Sequence, residues 1–193
     1  MTILGIAGIQ MPVSAVADNI DMMERYVAHV RKRFPWVTVM VFSELCVFGS
    51  NPAHAQTMPG EAEQRLQAIA AKYRMWLIPG SMFEHLDGKI YNTTPIINPD
   101  GVVIDRYRKM FPFYPYEQGI SAGERFVTFD IPDVGRIGMS ICYDMWFPET
   151  SRTLAAMGAE VIIHPTMTDT IDREVELAMC RAAAAQNQVY FFD

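Results

Sequence analysis

The sequence has few cysteines. There are three, Cys46, Cys142 and Cys180, widely spaced and with no CxxC pair. That spacing argues against a zinc site or a dithiol redox centre. The odd count leaves at least one thiol unpaired, which fits a reducing compartment, most simply the cytoplasm. Long apolar runs are missing too. Half of the 193 residues are hydrophobic, yet no window holds the roughly 18 uninterrupted apolar residues of a membrane span. The start, Met1-Thr2-Ile3-Leu4-Gly5, lacks the basic region and cleavage site of a leader, so none is expected. Positive charge is scarce and scattered, apart from Arg31-Lys32-Arg33 and Arg106 to Lys109, and the formal net charge is −6. A nucleic-acid surface and a polybasic membrane patch are therefore not expected. The four histidines, His29, His54, His85 and His164, are not grouped. None lies near Cys142 in sequence, so a Cys-His dyad has no local support. Linkers, repeats and low-complexity stretches are also lacking, and one domain over residues 1–193 is expected.

What is present alternates between strand and helix. Ile3 to Met11 and Val37 to Phe42 are apolar runs of the kind a buried strand shows. Between them, Asp18 is placed to cap a helix running to about Phe34, with Ile20, Met23, Val27 and Val30 as its apolar stripe. Glu61 to Arg74 reads as a helix after Pro59-Gly60. Trp76 to Phe83 reads as one strand, and Ile90 to Ile97 with Val102 to Tyr107 as a hairpin through Asn98-Pro99-Asp100-Gly101. A second hairpin joins Arg125 to Ile131 and Arg136 to Cys142. A helix follows Pro148 and ends near Gly158. Then come a strand Glu160 to His164, a helix Asp172 to Gln186, and a last strand from Val189 to Phe192. The expected class is α/β with mixed sheets. Nothing follows the final apolar strand, so either the C-terminal part of the domain is missing or a second copy covers that edge.

Chemistry-bearing residues sit at the ends of several of these strands. Cys142 follows Gly138-Met139-Ser140-Ile141 directly. A nucleophile at a strand-to-helix turn exposes its side chain beside the next residue's N–H. On position alone, however, packing as a small hydrophobe is the commoner role. Glu44 ends the run Val39 to Phe42, where partial desolvation suits a general base; a solvated charge is the ordinary alternative. Lys109 ends the Val102 to Tyr107 strand and suits an oxyanion, though alone it reads as a surface lysine. Glu117 stands among Pro115, Tyr116 and Gly119. Cys46, Cys180, His164 and the 14 methionines read as packing residues.

Taken together these residues resemble the nitrilase superfamily of carbon–nitrogen hydrolases, over essentially the whole chain. Four ordered blocks carry the resemblance. They are Val41 to Leu45 with Phe48-Gly49; Tyr91-Asn92-Thr93 with Gly101 and Tyr107-Arg108-Lys109; Gly138 to Asp144 with Phe147-Pro148-Glu149 and Arg152; and Gly158 to Pro165 with Arg181-Ala182 and Asn187. The stretch Tyr107 to Pro112 with Pro115-Tyr116-Glu117, and the Cys142-Tyr143-Asp144 turn, look most like the amidase branch. Ser43 stands where the family commonly has proline.

The resemblance implies a four-layer αββα sandwich whose C-terminal part is absent here. It also implies a catalytic set of Glu44, Lys109 and Cys142 with Glu117 as a second glutamate. Substrate contacts are expected from Tyr143, Tyr116, Pro165 and Thr166. The implied reaction is hydrolysis of a small amide to acid plus ammonia or amine through a cysteine thioester, with no metal and no organic cofactor. A nitrile or N-carbamoyl hydrolase is the alternative, as is a truncated, non-catalytic member. The family commonly dimerises, so a homo-oligomer is expected.

Overall fold

The structure is a computed structural model that describes residues 3–114 and 116–193. Met1 and Thr2, and the Pro115 that precedes Tyr116-Glu117 in the motif above, lie outside the described residues. The first sheet is built from β1 (Ile6–Ile9), β2 (Val39–Phe42), β3 (Trp76–Ile78), β4 (Met82–Leu86), β5 (Lys89–Ile97), β6 (Val103–Arg108) and β7 (Ile120–Ser121). β1, β2 and β3 run parallel; the long β5 then pairs antiparallel with β3, β4 and β6 and parallel with β7. The second sheet takes β8 (Val127–Ile131), β9 (Gly135–Met139), β10 (Val161–Ile163) and β11 (Tyr190–Phe192) in the order β11-β10-β9-β8.

The alternation of side chains along β2 explains why that run is apolar throughout. Val39 and Val41 turn inward, toward the Val127, Phe129, Ile137 and Met139 side chains of the second sheet. Met40 and Phe42 turn outward, under α1 (Ile20–Arg33) and α2 (Glu61–Tyr73). A strand covered on both faces needs no polar side. On the far side, α3 (Pro148–Ala156) contributes Leu154 to a cluster with Ala159, Ile162 and Phe191 behind the second sheet, and α4 (Asp172–Asn187) packs against α3 and β11. The layers are thus helix, sheet, sheet, helix.

Three local readings change. Trp76 to Phe83 is two strands, because Pro79-Gly80-Ser81 interrupts it and Gly80 takes φ +73°. β4 and β5 form a hairpin that the sequence reading did not separate, turning at Asp87 and Gly88, both with positive φ. Finally, Asn19 rather than Asp18 occupies the cap position of α1. Asp18 still accepts from Ile20 N–H at 3.1 Å, while the Asn19 side chain binds Ser14 and the Val47 carbonyl.

Candidate functional site

The local folds at three strand ends bring the chemistry together. At the end of β9, Cys142 adopts φ +45°, a conformation that a non-glycine residue holds only where its surroundings enforce it. The enforcing group is Asp144. It accepts from Ile141 N–H at 2.8 Å, from Phe111 N–H at 2.9 Å and from the Tyr107 hydroxyl at 2.6 Å. The Cys142 turn is thereby tied to the segment that carries Lys109. Burial pushes the Asp144 carboxyl up to about 6, and those three donors and the Lys109 charge hold it from rising further. The Cys142 N–H is itself taken by the Pro165 carbonyl at 3.0 Å.

At the end of β2 the chain turns through Leu45 at φ +52°. Leu45 N–H donates to Ser81 Oγ at 2.9 Å and Glu44 N–H to the Thr166 carbonyl at 3.3 Å. Gly80 passes so close that a Cβ there would collide with the Ser43 carbonyl. Glu44 is left 3% exposed. Lys109 follows β6, its N–H on the Asn92 carbonyl at 2.8 Å.

Around Lys109 the side chains form a closed ionic cluster. Its Nζ stands 2.8 Å from Glu44 Oε1 and 2.7 Å from Glu117 Oε2. Asn92 Nδ2 donates to Glu44 Oε1 and to Glu117 Oε1, both at 2.9 Å. Phe113 N–H completes the shell of Glu117 at 2.6 Å. Burial works against the Lys109 ammonium, but Glu44, the Cys142 sulfur and Glu117 outweigh it and hold its pKa well above the usual lysine range. A buried cation with two hydrogen-bonded carboxylates is the arrangement in which a desolvated charge persists. For Cys142, burial and then the Glu44 charge push the thiol up to about 12, against the pull of Lys109 and the Thr166 hydroxyl. The resting sulfur is therefore a thiol beside a carboxylate.

Glu44, Lys109, Glu117 and Cys142 all line one cavity of about 420 Å³, a size suited to a small ligand. Tyr143 and Tyr116 line it as well, with Tyr116 largely exposed and stacked on Phe113. Pro165 and Thr166, expected among the substrate contacts, do not line it. Their carbonyls fix Cys142 and Glu44 from behind, and the Thr166 hydroxyl reaches the Cys142 sulfur. The wall at that point is Thr168, whose hydroxyl lies 3.8 Å from Cys142 Sγ. Cys46 is packed in the helix-side core with its thiol on the Pro79 carbonyl, and Cys180 packs against Met145.

Four contributors escaped the sequence reading as individual residues: Asn92, Asp144, Thr168 and Glu176. The first two lie inside the motif blocks, and those blocks were the only signal for them. Thr168 and Glu176 had none. Among the described residues, no three His, Cys, Asp or Glu side chains are grouped as metal ligands. No helix there is long and apolar enough to cross a membrane.

Residues 5–192 match the carbon-nitrogen hydrolase family. Omega-amidase NIT2 of Homo sapiens is 30% identical over 205 aligned positions, covering 98% of this chain and 73% of that protein. The probable hydrolase YhcX of Bacillus subtilis is 37% identical over a shorter stretch, 63% of this chain and 24% of its own. Among solved structures, Saccharomyces cerevisiae Nit3, a member of branch 10 of the nitrilase superfamily, superposes with a TM-score of 0.88 at 28% identity, covering 97% of this chain and 73% of that one. An amidase from Nesterenkonia sp. shares the fold with the same TM-score at 23% identity, over 97% of this chain and 74% of its own.

Proposed function

Because the chain belongs to the carbon-nitrogen hydrolase family and is an amidase-type hydrolase, we propose that it cleaves small amides through a thioester on Cys142. The observation that carries this reading is the position of Lys109, 2.8 Å from Glu44 and 2.7 Å from Glu117 in the cavity wall that also holds Cys142.

Glu44 takes the thiol proton as sulfur attacks the carbonyl carbon. The negative charge that develops on the carbonyl oxygen is met by the Lys109 ammonium and the Tyr143 N–H; the Cys142 N–H is not free for this task, since Pro165 holds it. Collapse of the tetrahedral intermediate breaks the C–N bond, and Glu44 returns its proton to the departing nitrogen. Ammonia or an amine leaves, and the acyl group remains on sulfur. Glu44 then takes a proton from water, whose oxygen attacks the thioester. The acid departs and the thiol is restored. Glu117 and Asn92 hold Lys109 and Glu44 at their places throughout. A resting thiol with a pKa near 12 makes the adjacent base indispensable, because so little thiolate exists at neutral pH.

The test is Cys142→Ala with a panel of short aliphatic amides, reading ammonia and acid. Turnover is expected to vanish, and hydroxylamine is expected to trap the parent's acyl group as a hydroxamate. Undiminished amide hydrolysis by Cys142→Ala would overturn the assignment. Release of carbon dioxide along with ammonia would instead mark an N-carbamoyl substrate.

A further inference from the structure

The cavity is electrically lopsided. Among the described residues its one lining cation, Lys109, is committed to Glu44 and Glu117. The lining also carries Asp169, Asp172 and Glu176. Of these, Glu176 is the unusual one. It projects from α4, where the neighbouring Val175 and Leu177 are exposed, yet it is 2% exposed. Its Oε1 accepts from Thr168 Oγ1 at 2.9 Å, and that same hydroxyl touches the Cys142 sulfur. Its Oε2 is buried and has no hydrogen-bond donor. Arg173 Nη1 stands 3.6 Å from Oε2 and pairs at 2.6 Å with Asp193, so one guanidinium faces two carboxylates.

A buried carboxylate oxygen without a hydrogen-bond donor is unfavourable in an empty site. A ligand that brings a charged donor removes that cost and forms a strong, short hydrogen bond. The same oxygen repels a ligand that brings a second carboxylate.

Resting on the amidase reading above, the geometry points to Glu176 as a specificity-determining residue: the cavity takes amides whose short aliphatic chain ends in a primary ammonium, received by Glu176, and turns away those ending in a carboxylate. The chain is short because Glu176 lies only two contacts, through Thr168, from the sulfur.

Three amides of matched length test this: 4-aminobutanamide, pentanamide and succinamate. In the parent, kcat/KM is expected to be at least tenfold higher for the ammonium-ended amide than for the methyl-ended one, and lowest for succinamate. In Glu176→Gln the ammonium-to-methyl ratio is expected to fall at least tenfold. A parent without the ammonium preference, or an unchanged ratio in Glu176→Gln, overturns the assignment while leaving the hydrolase reading intact. If no amide is hydrolysed, the hydrolase reading fails, and recognition is read separately from alkylation of Cys142 by iodoacetamide. Butylammonium is then expected to slow alkylation of the parent and butyrate is not. Equal protection by both, or protection by butylammonium that survives Glu176→Gln, overturns the assignment.

Discussion

Glu44 acts on Cys142 in two opposed ways. Its charge is the second cause, after burial, of the raised thiol pKa, and its carboxylate is the proposed acceptor of the thiol proton. The two roles separate in Glu44→Gln. Without the charge, Lys109 acts on the sulfur less opposed and the thiolate fraction rises, while the base is gone. We expect amide turnover to fall at least a hundredfold, yet alkylation of Cys142 by iodoacetamide at pH 8 to become several-fold faster. Parallel losses of both would show that Glu44 does not oppose ionisation of the thiol. At this scale the sequence was readable where a residue type is unexpected for its place. A lysine, a glutamate and a cysteine at the ends of apolar strands draw notice. Asn92 does not, because one amide inside a strand looks like many others, and its service to two carboxylates depends on strands far away in sequence. Glu176 lies among strong helix formers, where a glutamate is by default a solvated residue.

The element that fixes Glu44 is not β2 alone but the crossing of its end with the link between β3 and β4. Ser81 and Pro79 of that link accept from Leu45 N–H and the Cys46 thiol. Gly80 makes the crossing close enough for both bonds. Gly80→Ala therefore combines a left-handed backbone with a collision against Ser43. It is expected to destabilise the fold by about 1–3 kcal/mol and to lower kcat more than that loss explains, because Glu44 shifts away from the sulfur. A urea midpoint and a kcat measured on the folded fraction check it; normal kcat would separate the crossing from the placement of Glu44. Elements were legible where burial on both faces made a run uniformly apolar, as in β2, or where a strong turn joined two strands, as at Asn98 to Gly101. They were not legible where apolar residues continued through a break, as at Pro79 to Ser81, since hydrophobicity alone does not register a change of direction.

The whole molecule titrates through groups sealed between its layers. His164 is fully buried with Nδ1 on Ser140 Oγ at 2.7 Å, and burial, with Lys109 and Arg173 adding to it, pushes its pKa down to about 3. The unfolded chain protonates this histidine near pH 6.5. Between those values the unfolded state holds the extra proton, so stability falls as pH falls from 6.5 toward 3. Asp144, raised to about 6, works the other way between pH 6 and 4, where the folded state is first to take up a proton. His164→Asn removes only the first effect. From urea midpoints at pH 7 and pH 4, the parent is expected to lose on the order of 3 kcal/mol more than the variant. Parallel pH dependences would mean that His164 is reached by protons in the fold.

Glu44 and Lys109 are 65 positions apart along the chain, and Tyr107 and Asp144 are 37 apart. No local segment brings such pairs together, and contacts of that span form late when a chain collapses. Glu44, Asn92, Lys109 and Glu117 all stand on the first sheet, whereas Cys142 and Asp144 come from the second. The bond between Tyr107 and Asp144 is thus a clock hand for the last stage of refolding: secondary structure returns first, and catalysis only when the two sheets have closed on each other.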